Sequence, residues 1–223
     1  MKQSFILITI IFSLQLISMN SALTYDVSKL KIAKTTDQIM LVIPPNPRTS
    51  NAKFLFYIKS GNTWKEYLKS EAHIGKNGLG KKKEGDKKTP VGVFKFTKYF
   101  GIADNPGTKL PYVKLNEYHY WNGDSNSKKY NQFVDSREYS NFDKKSSEHL
   151  IDYKAAYKYA MNINYNEKGV PHKGAAIFLH CYSSNPYTAG CVALPESNML
   201  KVMKKVNKNC KIVIDLVQNI HKY

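Results

Sequence analysis

The sequence predicts a mainly β domain, a β-sandwich or flattened barrel with one helix packed on it near the C-terminus. Three observations lead there. Short runs rich in β-branched and aromatic residues recur from Gln38 onward, turn-forming clusters separate them, and an apolar stripe at helical spacing occurs once, after Pro195. Many strands and one good helix bury their apolar faces only if the sheet folds on itself and the helix covers it. At 223 residues, 42% of them hydrophobic, the chain is long enough for one core and short for two.

Along the chain, residues 1–22 read as a signal peptide. Lys2 gives the positive start, Phe5 to Ile17 the apolar stretch, and Ser18, Ser21 and Ala22 a cleavage zone. The apolar run is short for a bilayer span and no second one follows, so the mature chain is expected to be secreted or held in the cell envelope, outside the cytoplasm. Residues 23–37 are expected to be a variable lead-in, 38–217 the folded domain and 218–223 a tail. Strands are expected at 38–43, 54–58 and 64–74, punctuated by Pro-Asn-Pro, Ser-Gly-Asn and Gly-Lys-Asn-Gly. A further strand is expected at 89–99, then a loop at 105–111. The polar stretch 124–145 reads as a long surface excursion, 148–157 as a short helix and 159–165 as a strand. Residues 175–181 are an apolar run suited to a buried strand, whose pleat puts Ile177, Leu179 and Cys181 on one face and Phe178 and His180 on the other. Pro195 starts the helix, with Met199, Val202, Met203 and Val206 as its buried stripe, and 210–217 is the closing strand.

Lys and Arg number 34 against 17 Asp and Glu, a formal net charge of +17. Such an excess favours encounters with polyanions, among them anionic wall polymers. The lysines are scattered, with one short cluster at Lys81 to Lys83 and Lys87 to Lys88, which fits a compositional bias better than a dedicated nucleic-acid surface. Three cysteines in an exported chain leave one unpaired within the chain. Cys181, Cys191 and Cys210 match no zinc spacing, so no metal is expected. Cys181 and Cys210 are expected to be buried, their pairing left open. Gly75 to Lys81 reads G-x-x-x-x-G-K, but Lys82 stands where a phosphate-binding loop needs Ser or Thr and no helix signal follows, so no nucleotide is expected. His73, His119, His149, His172 and His221 have no evident partner.

The stretch with chemical content runs from Gly174 to His180 and then Thr188-Ala-Gly-Cys191. A thiol needs a base and a site that favours its ionisation. His180 at a strand end could be that base. Cys191 is expected on a turn shortly before the helix, where free backbone N–H groups would lower its pKa and hold an oxyanion, with Gly190 allowing close approach of a carbonyl. Residue types alone leave open a buried thiol beside a packed imidazole.

The His, loop, Thr-x-Gly-Cys arrangement resembles the catalytic signature of the L,D-transpeptidase (YkuD-type) family. Gly75 to Gly80, Glu84-Gly-Asp-Lys-Lys-Thr-Pro90, Gly92-Val-Phe94, Tyr120-Trp121 and Tyr130-Asn131 resemble the same family in the same order. The resemblance implies an L,D-transpeptidase-type fold and a peptidoglycan-active cysteine acyltransferase working on stem tetrapeptides through a Cys191 thioester, without cofactor and as a monomer. It makes Cys191 the nucleophile, His180 the base oriented by a backbone carbonyl such as that of Cys181, and the N–H groups of Gly190 and Cys191, with Thr188, the oxyanion loop. It also places Trp121, Tyr130 and Asn131 in a substrate cleft, a role that ordinary packing rivals. Ala189 and Ala193 depart from the pattern, and the ten-residue loop between His180 and Cys191 is short. Two alternatives stay open beside transfer: hydrolysis of the same bond as an L,D-carboxypeptidase, and a non-catalytic wall-binding module.

Overall fold

A strand covered on both faces needs a continuous apolar sequence, and Gln38–Ile43 (β1) is buried at all six positions. Met40 and Val42 face the interior, while Ile39, Leu41 and Ile43 pack with Val27, Leu30, Ala33 and Ile220. The structure is a computed structural model that describes residues 25–223; the signal peptide expected at 1–22 lies outside the described residues. The stretches read as lead-in and tail supply the outer cover of β1: single 3-10 turns at Val27–Lys29 and Lys31–Lys34, and another at Val217–Lys222.

Asn51–Ser60 (β2) and Thr63–His73 (β3) form a hairpin whose two-residue turn takes Gly61 at φ 58°, a backbone only glycine adopts freely. Tyr67 is the extra residue of a bulge on β3, between the pairs Phe56↔Leu68 and Tyr57↔Glu66. The remaining strands are Gly92–Gly101 (β4), Tyr112–Lys114 (β5), His119–Trp121 (β6), Phe133–Asp135 (β7), Glu148–His149 (β8), Ala160–Ile163 (β9), Phe178–Cys181 (β10), Val192–Leu194 (β11) and Lys211–Ile214 (β12). The main sheet runs β12-β1-β2-β3-β11-β10-β9-β4-β5, and β12 also pairs with β4, so eight strands close into a barrel with β5 appended to the end of β4. The mainly β, barrel-like expectation therefore holds. Among the described residues there is one α-helix, Glu196–Lys205 (α1), which buries Met199, Val202 and Met203 in the interior cluster, each worth on the order of 2 kcal/mol of transfer free energy.

Four local expectations are corrected. Residues 124–145 are not a plain surface excursion, because Tyr130, Asn131 and Val134 are buried and β7 pairs with β6 in a second sheet, β7-β6-β8. Residues 148–157 do not form one helix: Glu148 and His149 pair with β6 as β8, and the chain continues in short 3-10 turns at Leu150–Asp152 and Ala156–Lys158. The strand expected over 175–181 starts only at Phe178, because Gly174 and Ala176 take φ 118° and 55°. Finally, β11 separates Cys191 from α1.

Candidate active site

β10 and β11 lie side by side and parallel, with Leu179 opposite Val192 and His180 opposite Ala193. As the pleat predicts, Ile177, Leu179 and Cys181 enter the interior cluster while Phe178 packs in another, with Trp121, Tyr157 and Cys191. Leaving β10, the chain makes the 182–191 loop and returns to Cys191 at the head of β11. Thr188 braces the return: its hydroxyl donates to Cys191 O at 2.7 Å and accepts from Gly190 N–H at 3.1 Å. Thr89, of the Thr-Pro motif, bridges Gly75 N–H and the same Cys191 carbonyl at 2.8 and 3.3 Å. Gly190 has φ 147°, and a Cβ there would meet Lys88 O at 2.8 Å.

Cys191 and His180 are each 6% exposed and open on one cleft of about 560 Å³. The imidazole Nδ1 lies 2.7 Å from Cys181 O, and since a carbonyl only accepts, Nδ1 carries the proton and Nε2 is the basic nitrogen. The ring meets Tyr157 edge-on, centroids 5.6 Å apart. Burial pulls the imidazole pKa down to about 4, against the Cys181 hydrogen bond. The thiol donates to Ala176 O and accepts from Phe178 N–H, both at 3.3 Å. Burial, then the charge of Glu148, pushes its pKa up to about 12 against the Phe178 N–H and Lys81. The resting pair is thus neutral thiol and neutral imidazole, not an ion pair. The ionising effect expected from a helix N-terminus is absent, because β11 puts three extended residues, about 10 Å, between Cys191 and Pro195, beyond the reach of a helix terminus.

Trp121, Tyr130 and Asn131 do not line this cleft. All three are buried, and Trp121 and Asn131 border a separate cleft of about 210 Å³. Asn131 Oδ1 accepts from Trp121 Nε1 at 2.8 Å and from Ala176 N–H at 3.0 Å, and its Nδ2 donates to Tyr165 O and Asn166 O, both at 2.9 Å. Tyr130 OH binds Glu84 and accepts from Gly174 N–H. Through Gly174 and Ala176 these residues brace the backbone under the thiol. All three cysteines are free, so Cys181 and Cys210 are buried and unbridged.

Sequence reasoning missed Glu148 and Lys81, which line the Cys191 cleft. Glu148 accepts from Tyr157 OH at 2.5 Å, and burial raises its pKa to about 7 against that hydrogen bond. Its only sequence signal was a lone acid at the head of a segment read as helix. Lys81 is the lysine of the G-x-x-x-x-G-K run, which forms an irregular loop bridged to Thr89 and Thr188, with no helix after it. Among the described residues, no three His, Cys, Asp or Glu side chains cluster closely enough for a metal ion, and no helix is long and apolar enough to cross a membrane.

Two of these shifts oppose each other in stability. Glu148 binds its proton more tightly folded, at about 7 against an ordinary 4.5, so its contribution is full below pH 4.5 and lost as pH rises through 7. His180 binds its proton less tightly folded, at about 4 against 6.5, so stability is full above pH 6.5 and lost as pH falls towards 4. Each amounts to roughly 3 kcal/mol at most, and between pH 4.5 and 6.5 they cancel. Glu148→Gln is expected to unmask the histidine, so that Tm climbs with pH across that window more steeply than in the parent protein. Parallel Tm curves for the two proteins would contradict the burial assigned to Glu148.

Residues 48–214 match the family model of the L,D-transpeptidase catalytic domain, YkuD. Among solved structures, the chain is similar to Bd1075 of Bdellovibrio bacteriovorus, at 15% identity over 85% of this chain and 53% of that one, TM-score 0.44. It is also similar to the helical cell shape determining protein Pgp2 of Campylobacter jejuni, at 16% identity over 81% and 48%, TM-score 0.41. A third is L,D-transpeptidase 1 of Mycobacterium tuberculosis, at 13% identity over 80% and 61%, TM-score 0.37. The chain spans about half the length of the first two. No curated protein sequence matches it.

Proposed function

Since this chain belongs to the L,D-transpeptidase catalytic-domain family, we propose that it is a peptidoglycan-active cysteine acyltransferase of the cell envelope. Its donor is a stem tetrapeptide, opened between the L-centre of the third residue and the terminal D-Ala. Cys191 Sγ attacks that carbonyl carbon while its proton passes to His180 Nε2. The tetrahedral adduct collapses to a thioester as the C–N bond breaks and the imidazolium returns the proton to the departing D-Ala amine. An amine of a neighbouring stem then takes the acyl group, or water does so in carboxypeptidase action. The net charge of +17 suits a wall rich in anionic polymer.

One observation carries this reading: Cys191 and His180 open on the same cleft, with the ring fixed by Cys181 O in the tautomer that leaves Nε2 basic. The neutral resting pair supports general-base attack, with charge separating only as substrate excludes water from the cleft. Mass spectrometry of products from defined tetrapeptides tests it. Loss of D-Ala is expected, with a crosslinked product when an acceptor amine is supplied and a tripeptide when only water is present. A folded protein that binds peptidoglycan yet leaves every stem intact would instead be a wall-binding module.

A further inference from the structure

An oxyanion needs a donor, and the one expected from Gly190 is already taken: its N–H donates to Thr188 Oγ1 at 3.1 Å. A cation lies beside it. A Cβ on Gly190 would sit 3.6 Å from Lys81 Nζ, and one on Gly174 would sit 2.5 Å from Lys81 Cε. Two glycines at positive φ thus clear the space round a single ammonium. The Lys81 side chain is 3% exposed and its partner Asp86 10%, with Nζ to Oδ1 at 3.0 Å.

Burying such a pair is costly unless its remaining bonds are satisfied. Asp86 is: Lys82 and Lys83 N–H donate to Oδ2 at 2.7 and 3.1 Å, and Lys88 N–H to Oδ1 at 3.1 Å. Burial pushes its pKa up, but these donors and Lys81 outweigh it and hold it near about 2, so its charge is permanent. Lys81 is not saturated. Of its three protons, Asp86 Oδ1 takes one and Lys83 O another at 3.3 Å, which leaves one. The pinned carboxylate holds the Lys81 ammonium in place, a donor that needs no reorganisation when charge develops.

We propose that Lys81 is a third catalytic residue, whose ammonium stabilises the negative charge that forms on the substrate carbonyl oxygen beside Gly190. It rests on the reading of Cys191 as nucleophile. As the S–C bond forms, the carbonyl π pair moves onto oxygen against Lys81 Nζ, and the thiol proton goes to His180. The charge returns to the carbonyl as the leaving group departs. The same ammonium is the side-chain cation that partly offsets the rise burial imposes on the Cys191 pKa.

Two neutral probes separate these effects. p-Nitrophenyl acetate acylates Cys191 through an oxyanion, whereas iodoacetamide alkylates the thiol without one. Lys81→Met is expected to slow acylation by about 10²- to 10³-fold and alkylation by about tenfold at most, so the ratio of the two rates shifts. Because Met beside a lone Asp86 could unfold the chain, Lys81→Met/Asp86→Asn, which removes both charges, is measured with it, and Lys81→Arg should recover part of the acylation rate. Equal slowing of both reactions in a folded variant would reduce Lys81 to a thiol-tuning residue and overturn the proposal. So would unchanged acylation by the neutral ester coupled with a raised KM for tetrapeptides, which would mark a site for the substrate carboxylate. Labelling that persists in Cys191→Ala would remove the nucleophile itself, and the proposal with it.

Discussion

Cys191→Ala is expected to abolish thioester formation, and His180→Ala to slow it by up to about 10⁴-fold, near the upper end of general-base effects. The large histidine effect follows from the thiol. With its pKa pushed up to about 12, only about one molecule in 10⁵ carries a thiolate at pH 7, against a few per cent for an ordinary cysteine. Without Nε2 to accept the proton, the reaction has only that fraction to draw on. The pH dependence should differ accordingly. His180→Ala should gain about tenfold per pH unit up to at least pH 10, because the thiolate grows at that rate below its pKa. The parent protein should be flat above neutrality and fall only as pH drops towards about 4, where the imidazole protonates. Acylation by a carbapenem, which the family resemblance leads one to expect, gives a mass increase on the Cys191 peptide as readout. Cys181 and Cys210 should stay unlabelled, since each is only 1% exposed and neither lines the cleft that holds Cys191 and His180. A His180→Ala rate that did not rise with pH, or label on Cys181, would sink the assignment.

What was legible in the sequence follows local rules. The apolar run of β1, the Gly61 turn, the alternation that sends His180 and Cys181 to opposite faces, and the Met199-Val202-Met203 stripe each depend on a few adjacent residues. The Thr-x-Gly-Cys spacing was legible for the same reason, because Thr188 closes on the carbonyl three residues ahead. What failed depends on distant partners. Val192–Leu194 is too short to announce itself as a strand, and it is one only because β10 and β3 lie on either side. Missing it put the helix N-terminus at the thiol, and with it an ionised cysteine that burial forbids. Glu148 reaches the cleft through a second sheet built from Trp121 and Phe133, inside a region whose polar composition hid its anchors. Lys81 read only as the lysine of an incomplete G-x-x-x-x-G-K run, whereas the partner that explains it is Asp86, five residues on.

Asn131→Ala is expected to show that this hidden scaffold serves the thiol as well as the fold. Asn131 sits at φ 59°, a conformation asparagine tolerates better than alanine, and its buried amide makes four hydrogen bonds. Truncation leaves Trp121 Nε1, Ala176 N–H, Tyr165 O and Asn166 O without that partner. Each unsatisfied buried group costs about 1 to 3 kcal/mol, and even with relaxation the sum should approach 4 kcal/mol, a large share of a typical domain's 5 to 15. A chemical consequence follows from Ala176, whose N–H is held by Asn131 and whose carbonyl accepts from Cys191 Sγ. Ala176 itself lies at φ 55°, which a non-glycine residue keeps only when its surroundings impose it. Releasing its N–H lets that turn relax and carries away the carbonyl that orients the thiol. At a temperature well below its lowered Tm, Asn131→Ala should therefore acylate Cys191 more slowly than the parent protein, while His180 keeps its bond to Cys181 O and its pH profile. A lowered Tm with an unchanged acylation rate in the folded protein would confine Asn131 to stability and detach the thiol's placement from the Ala176 turn.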